Sequence, residues 1–191
     1  MCRICRFIGE GGIRALEGML EEMSYRGPDD SGTWHDGESL HLGHLRLSIV
    51  DIFGAHQPML TQDGSLVVVF NGEIYNHREL RSELQSLGWV FQTDHSDTEI
   101  LLRGYQQWGR GIVDRLNGMW AFALFDRHHG LLWLSRDRFG KKPIYYYHQN
   151  NKVIFASELK AILKEKTINK EINFNALDEY LKHLVIPSPN T

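Results

Sequence analysis

Apolar residues recur at helical spacing in some parts of the chain and form short continuous or alternating runs in others. Between Ile13 and Met23 they lie mostly three apart, which predicts an amphipathic helix over about 13–24. The same spacing predicts helices in "HRELRSELQSLG", which Gly88 closes, and in "SDTEILLRGYQQWG". Two further helices are predicted in "ELKAILKE" and "FNALDEYLKHL".

Strand patterns fill most of the remaining chain. The stretches "SGTWHDGESLHLGHLRLSIVD" and "QDGSLVVVFNGEIYN" contain Asp36-Gly37 and Asp63-Gly64 at predicted hairpin turns. Further strands are predicted in "MWAFALFD", "LLWLSRD", "PIYYYHQ" and "KVIFAS". Because helices bracket hairpin-linked strands instead of alternating with them, we expect an α+β fold with mostly antiparallel sheets. "MWAFALF" is apolar on both faces, which favours a four-layer sandwich of two sheets between helix layers.

The polar stretch "KEKTINKEINF" divides the chain near residue 165. Residues 1–165 are predicted to form one domain, and 166–191 a linker and the start of a second domain that this chain lacks.

Composition narrows the class of protein. An apolar fraction of 42% and a charged fraction of 24% are ordinary for a globular protein. With a net charge of −3 and no basic stripe, nucleic-acid binding is not expected. No run approaches the roughly 20 apolar residues of a membrane span, and no signal-peptide pattern opens the chain. Two cysteines favour a reducing cytoplasm over a disulfide scaffold.

Cys2 is the first candidate for chemistry. A cysteine beside a short apolar strand is most often a small hydrophobic residue. If Met1 is removed, however, Cys2 carries both a thiol and a free α-amine, whose reference pKa is about 7.7–8.0. Such an amine can accept the thiol proton, directly or through one water, and return it to a leaving amine. Cys2 is therefore a candidate nucleophile that needs no histidine.

Metal and redox sites receive little support. Cys2 and Cys5 form a C-x-x-C, but a zinc site needs a second pair and a redox motif should open a helix. In the predicted strands, residues three apart diverge, as do His41 and His44. No metal site is expected.

A second group of candidates surrounds "VFNGEIYN", where an apolar strand is predicted to end at Asn71-Gly72, followed by Glu73. This dipeptide most often marks a turn. Alternatively, the asparagine amide and the glycine N–H can converge as an oxyanion hole.

Three charged stretches also have two interpretations. Arg46 lies in the otherwise apolar "LGHLRLSIVD", where it either faces solvent or binds a carboxylate. Asp97 lies in the first turn of a predicted helix, where its negative charge interacts favourably with the helix dipole. Ser96 and Glu99 have the spacing of a capping box at the same helix. The charged turn in "LSRDRFGKKPIYYY" is predicted to contain ion pairs.

Taken in order, these motifs resemble a known family. "MC", "YRGPDDSGTW", "LGHLRLSIVD", "VFNGEIYNHREL", "HSDTEILL", "LNGMWAFALFD", "SRDRFGKKPIYYY" and "FASELKAIL" resemble the glutaminase domain of glutamine-hydrolysing asparagine synthetases. The resemblance covers essentially 1–165, and "EYLKHLVIPSPNT" resembles the entry to their synthetase domain.

The resemblance implies an N-terminal nucleophile hydrolase fold and a glutaminase site. Cys2 would attack the side-chain amide of L-glutamine and form a thioester. Asn71 and Gly72 would hold the oxyanion. The implied substrate-binding residues are Arg46 for the α-carboxylate, Asp97 for the α-amino group, and Glu73 with the backbone of Leu47, Ser48, Ile49 and Val50.

The resemblance also implies partners. No Ser-Gly-Gly-x-Asp-Ser-type nucleotide loop is present, so ATP and Mg²⁺ are expected only in the synthetase domain, which would receive the ammonia. No cofactor is expected for the glutaminase domain, and a homodimer is left open.

The chain departs from the family's usual Met-Cys-Gly-Ile-Ala-Gly at Arg3, Cys5 and Arg6, and it carries Tyr25 and Leu45 where basic residues are common. Arg3 is expected to crowd the pocket or shield it with a charge. Two alternatives therefore stand beside the glutaminase: an inactive regulatory or assembly domain, and a glutaminase that amidates another acceptor, such as a sugar or peptide.

Overall fold

The structure, a computed structural model, describes residues 2–8, 12–27, 29–47, 54–149 and 152–187, and these contain nine strands and six α-helices. The strands are β1 (Arg3–Ile8), β2 (Asp30–His35), β3 (Leu40–Arg46), β4 (Met59–Leu60), β5 (Leu66–Ile74), β6 (Gly118–Asp126), β7 (Leu131–Arg136), β8 (Tyr145–Gln149) and β9 (Lys152–Ala156). The helices are α1 (Gly12–Met23), α2 (His77–Ser86), α3 (Thr98–Trp108), α4 (Ile112–Arg115), α5 (Leu159–Ile162) and α6 (Phe174–His183).

The strands form two antiparallel sheets. One has five strands in the order β2-β3-β1-β9-β8, and the other has four in the order β4-β5-β6-β7. Helices α1 and α5 cover the first sheet, while α2 and α3 cover the second. The predicted four-layer α+β sandwich is confirmed.

Alternating side chains produce these layers. The side chains between the sheets are apolar and fully or almost fully buried, among them Ile4, Leu42, Val67, Val69, Ala123 and Phe155. The opposite face of each sheet packs on its helices, so the central strand β6 is buried on both faces, as its sequence predicted.

Both predicted hairpin turns are present. Gly37 joins β2 to β3 with φ +93°, and Gly64 joins β4 to β5 with φ +68°. Only glycine adopts these values without strain, so each Asp-Gly fixes the register of its hairpin.

One local prediction was wrong. Ser96 and Glu99 form no capping box: Ser96 Oγ accepts from Thr98 N (3.2 Å), but the Glu99 carboxylate turns to the backbone of Gln92 and Thr93. The Glu99 carboxylate thus accepts hydrogen bonds from backbone N–H groups of a loop, where helix and strand hydrogen bonding provides no acceptor for them.

The charged turn after β7 is held by backbone hydrogen bonds, and the ion pairs expected within it stay a prediction. The Asp137 carboxylate accepts from four backbone N–H groups, including those of Lys141 and Lys142. Arg136 donates to the carbonyls of Gly140 and Lys142. A tight turn leaves many backbone N–H and C=O groups without a strand partner. These groups form hydrogen bonds with the charged side chains of Asp137 and Arg136 instead.

Residues 166–187 include α6, whose Asn173 side chain caps the first turn. Most of its apolar residues are exposed, namely Phe174, Leu177, Tyr180 and Leu181. The division into two domains near residue 165 stays a prediction. No helix in the described ranges is long and apolar enough to cross a bilayer.

Candidate active site

A pocket of about 100 Å³ lies where the two sheets meet. It brings together every predicted site residue that the structure describes: Cys2, Arg46, Leu47, Asn71, Gly72, Glu73 and Asp97. Ser48, Ile49 and Val50 lie outside the described residues. The remaining lining residues are Ala55, Gln57, Phe70, Thr98, Met119 and Lys142.

Cys2 lies one residue before β1 and is partly exposed. Its Sγ accepts from Leu47 N at 3.4 Å and lies 3.6 Å from Leu47 O, so the thiol is held against the end of β3. Cys5 differs: it is completely buried under α1, and burial raises the pKa of its thiol. The two cysteines are both free thiols, and only Cys2 borders the pocket.

Asn71 and Gly72 form the wall contributed by β5. The strand was predicted to end here, but it continues to Ile74, with Asn71 opposite Ala121 of β6. A Cβ on Gly72 would lie 2.3 Å from Met119 O, so close backbone packing, not a turn, requires this glycine.

The Asn71 side chain is buried, and its Nδ2 has no hydrogen-bond partner among the described residues. Burying an unsatisfied amide costs about 1–3 kcal/mol. An amide donor held at that cost beside a pocket is what an oxyanion hole requires.

The opposite charges are supplied by Arg46 and Asp97. Arg46 is the last residue of β3 and is buried. Asp97 precedes α3 but does not cap it; instead its Oδ2 accepts from Ile74 N at 3.1 Å, at the end of β5. Burial raises the pKa of Asp97, and the charge of Glu73 acts in the same direction.

Lys142 is a lining residue that the motif interpretation missed. Its side chain is buried and faces the same pocket as Cys2 and Glu73. Burial lowers the pKa of Lys142, whereas the charges of Cys2 and Glu73 oppose that shift. The sequence predicted a charged turn here, but no pattern in it indicated that Lys142 lines the pocket.

Gln57 was also missed, and no sequence pattern singles it out. Its Oε1 accepts from Phe70 N at 2.6 Å, and its Nε2 lies 3.4 Å from Thr98 Oγ1. Gln57 thus joins β5 to the first turn of α3 and holds Asn71 and Asp97 in a fixed relation.

Arg3 does not line this pocket, contrary to the expectation that it crowds it. Its guanidinium pairs with Glu158 at 2.8 Å and borders a separate groove with Tyr25. The reason is geometric: successive residues of an extended segment project to opposite sides, so Arg3 and Cys2 diverge.

The histidines do not gather into a metal site. Within the described ranges no group of three or more metal-ligating side chains is found. His44 faces the other sheet and bonds Phe70 O, whereas His41 lies against Gly12 at the start of α1.

The chain is similar in sequence to a described family and to curated proteins. A family model for the glutamine amidotransferase domain matches residues 1–191. The chain is 38% identical over 98% of its length to asparagine synthetase [glutamine-hydrolyzing] 1 of Bacillus subtilis, and 42% identical over 87% of its length to asparagine synthetase 3 of that organism. It spans only 31% and 27% of those two proteins.

Solved structures share the fold at lower identity. The glutamine phosphoribosylpyrophosphate amidotransferase from B. subtilis matches 84% of this chain and 43% of its own, with a TM-score of 0.72 and 20% identity. A structure described as the allosteric regulatory enzyme of purine biosynthesis matches 85% of this chain and 43% of its own, with a TM-score of 0.70 and 22% identity. These two solved structures share the fold of this chain, and the chain belongs to the glutamine amidotransferase domain family.

Proposed function

We propose that this domain hydrolyses L-glutamine to L-glutamate and ammonia, with Cys2 as the nucleophile. The observation that carries the proposal is that one small pocket contains a partly exposed thiol, a buried cation, a buried carboxylate and an amide donor without a partner in the described part of the chain. An amino acid with a side-chain amide needs this set of groups: two fixed charges for its zwitterion and donors for its reacting carbonyl.

In the proposed complex, Arg46 binds the substrate α-carboxylate and Asp97 binds the α-ammonium group. Glu73 and the backbone from Leu47 to Val50 complete the pocket. These contacts direct the side-chain amide towards Cys2, and holding reactants in this way supplies a large part of the rate enhancement.

The thiol then attacks the amide carbon while the α-amine of Cys2, freed by removal of Met1, takes the thiol proton. Asn71 Nδ2 and Gly72 N–H stabilise the oxyanion. When the C–N bond breaks, the α-ammonium returns its proton to the leaving nitrogen and ammonia departs. Water, activated by the same amine, hydrolyses the thioester and regenerates the thiol.

The acceptor of the ammonia is proposed from the relatives. Because the matching proteins are described as asparagine synthetases, we propose aspartate amidation by an ATP- and Mg²⁺-dependent synthetase domain as the destination. The proposed glutaminase steps use side chains, a terminal amine and water, with no cofactor. A reactive thiol favours a reducing compartment, so we propose a cytoplasmic location.

An intact mass spectrum, before and after exposure to a diazo-ketone analogue of glutamine, tests the glutaminase proposal. We expect loss of the Met1 mass followed by a single adduct. Cys2→Ala should abolish the adduct, whereas Cys5→Ala is the matched control and should retain it, since Cys5 is buried away from the pocket. Retained methionine, or a processed Cys2 that takes no adduct, would contradict the proposal and favour an inactive module.

A further inference from the structure

Cys2 lies outside the hydrogen-bonded ladder that orders β1. The register of β1 against β3 begins at the pair Arg3↔Leu45, so strand pairing does not fix the backbone of Cys2. The contacts between its Sγ and the backbone of Leu47, at 3.4 and 3.6 Å, fix the thiol weakly because sulfur is a poor hydrogen-bonding atom. Something else must hold the residue that carries both thiol and amine.

Arg3 supplies that contact. Its Nη1 donates to the carbonyl oxygen of Cys2 at 3.1 Å, while its Nε donates to Glu158 Oε1 at 2.8 Å. The Arg3 side chain is only 3% exposed, and that of Glu158 15%. A buried guanidinium fixed at two points has little freedom to release the carbonyl.

Glu158 is itself fixed from the far side. Tyr25 Oη lies 2.9 and 2.8 Å from its two carboxylate oxygens, and Lys160 Nζ is 3.6 Å from Oε2 and 4.1 Å from the centre of the Tyr25 ring. Although burial acts to raise it, the pKa of Glu158 lies below its ordinary value because Tyr25 and Arg3 donate to the carboxylate. The anion that holds Arg3 therefore stays ionised at neutral pH.

We propose that Arg3, held by Glu158 and Tyr25, is a positioning residue that fixes the carbonyl of Cys2 and so aims its thiol and α-amine at the substrate. The inference rests on the proposed glutaminase function. Arg3 acts through Cys2 and not on the substrate, because it borders a groove separate from the glutamine pocket. Two departures from the usual family sequence, Arg3 and Tyr25, thus meet at one carboxylate.

The test compares Arg3→Met, Arg3→Lys and Tyr25→Phe with the wild type in steady-state glutamine hydrolysis. Arg3→Met should lower kcat about tenfold or more while leaving KM within about twofold, because misplacement of a reacting group affects the chemical step. Arg3→Lys keeps the positive charge but lacks the several donors of the guanidinium, so it should restore kcat only in part. Tyr25→Phe, which removes the hydroxyl that donates to Glu158, should show the smallest loss and remain folded.

A matched control separates positioning from stability. Lys152→Met breaks the partly buried ion pair, at 3.3 Å, between Lys152 of β9 and Glu165, and neither residue lines the pocket that contains Cys2. It should lower the melting temperature and leave kcat unchanged. Labelling of Cys2 by iodoacetamide, a small thiol reagent, should be equal in all variants, whereas labelling by the diazo-ketone analogue should fall with kcat.

The outcomes distinguish the two proposals. If the wild type neither takes the analogue nor hydrolyses glutamine, the proposed function is contradicted and the role of Arg3 with it. If the wild type is active and Arg3→Met and Tyr25→Phe retain its kcat, the glutaminase stands and the positioning role is overturned.

Discussion

The two walls of the pocket are built by different means. The proposed oxyanion side, Asn71 to Glu73, lies within β5, which pairs with β6 along its whole length. The proposed nucleophile side depends on Cys2, which lies outside its sheet and is held by Leu47 and Arg3. One wall is ordered by continuous backbone pairing and the other by a few side-chain contacts. The first should therefore tolerate disturbance of its surroundings better than the second.

Asn71→Ala is the most direct test of the oxyanion side, because it removes the side-chain amide donor. We expect kcat for glutamine hydrolysis to fall about 10²- to 10³-fold with little change in KM, because the donor acts on charge that develops during the reaction. Asn76→Ala is a suitable control: its amide bonds Arg115 O and Asn117 N, away from the pocket, and kcat should be retained. An Asn71→Ala enzyme with nearly wild-type kcat would show that this wall only shapes the pocket.

His44 of one sheet contacts the other sheet, so the stability of this connection between the two walls can be tested by varying the pH. It is fully buried in β3, its Nε2 lies 3.1 Å from Phe70 O, and burial lowers its pKa to about 4. An unfolded histidine titrates near 6.5, so between these values the unfolded chain binds a proton that the folded chain does not. The free energy of unfolding should therefore fall by about 3 kcal/mol as pH drops through this window.

Urea denaturation at several pH values between 7 and 4.5 measures this loss. His44→Gln removes the titrating group and should flatten the pH dependence by a similar amount. His148→Gln, at an exposed histidine of β8, should leave it unchanged. Equal slopes in the wild type and His44→Gln would show that His44 does not couple the sheets to pH.

The same contrast explains what the sequence could predict. Asn71, Gly72 and Glu73 are adjacent in the chain, and the hydrophobic run before them places them on one strand, so their proximity follows from local pattern. Arg3, in contrast, meets Glu158 across 155 positions. No periodicity encodes such a contact, and the prediction that Arg3 crowds the pocket failed for this reason. The layers followed from alternation, whereas Gln57 and Lys142 required the tertiary structure.

Asp97 tests the substrate-charge assignment next to the oxyanion side. Asp97→Asn retains an acceptor for Ile74 N but loses the charge, so KM for glutamine should rise about 10- to 100-fold, with a smaller effect on kcat. Because burial raises the pKa of Asp97, wild-type KM should begin to increase on acidification at a higher pH than an ordinary aspartate would give. That acid limb should be missing in Asp97→Asn.

Asp94→Asn is the control for this experiment, since Asp94 is exposed in the preceding loop. Its KM should match that of the wild type. A large rise in KM for Asp94→Asn, or none for Asp97→Asn, would move the ammonium site away from Asp97.

The smallest expected effect concerns Arg6, on the nucleophile side. Arg6 shares the face of Ile4 between the sheets, and its buried Nε has no partner among the described residues. Burial lowers the pKa of Arg6 to about 9 even though Asp36 opposes the shift. Replacing such a guanidinium by an apolar side chain of similar length is often stabilising, so Arg6→Met should raise the free energy of unfolding by about 1 kcal/mol at pH 7.

Arg14→Met, at an exposed position on α1, should change stability by less than about 0.5 kcal/mol. The gain in Arg6→Met should also shrink as pH rises above about 9, because the folded wild type then releases a proton that the unfolded chain still binds. A destabilised Arg6→Met would mean that the guanidinium contributes more by its contacts than it loses by burial. Arg6 would then resemble Arg3, and the nucleophile side would depend on both arginines.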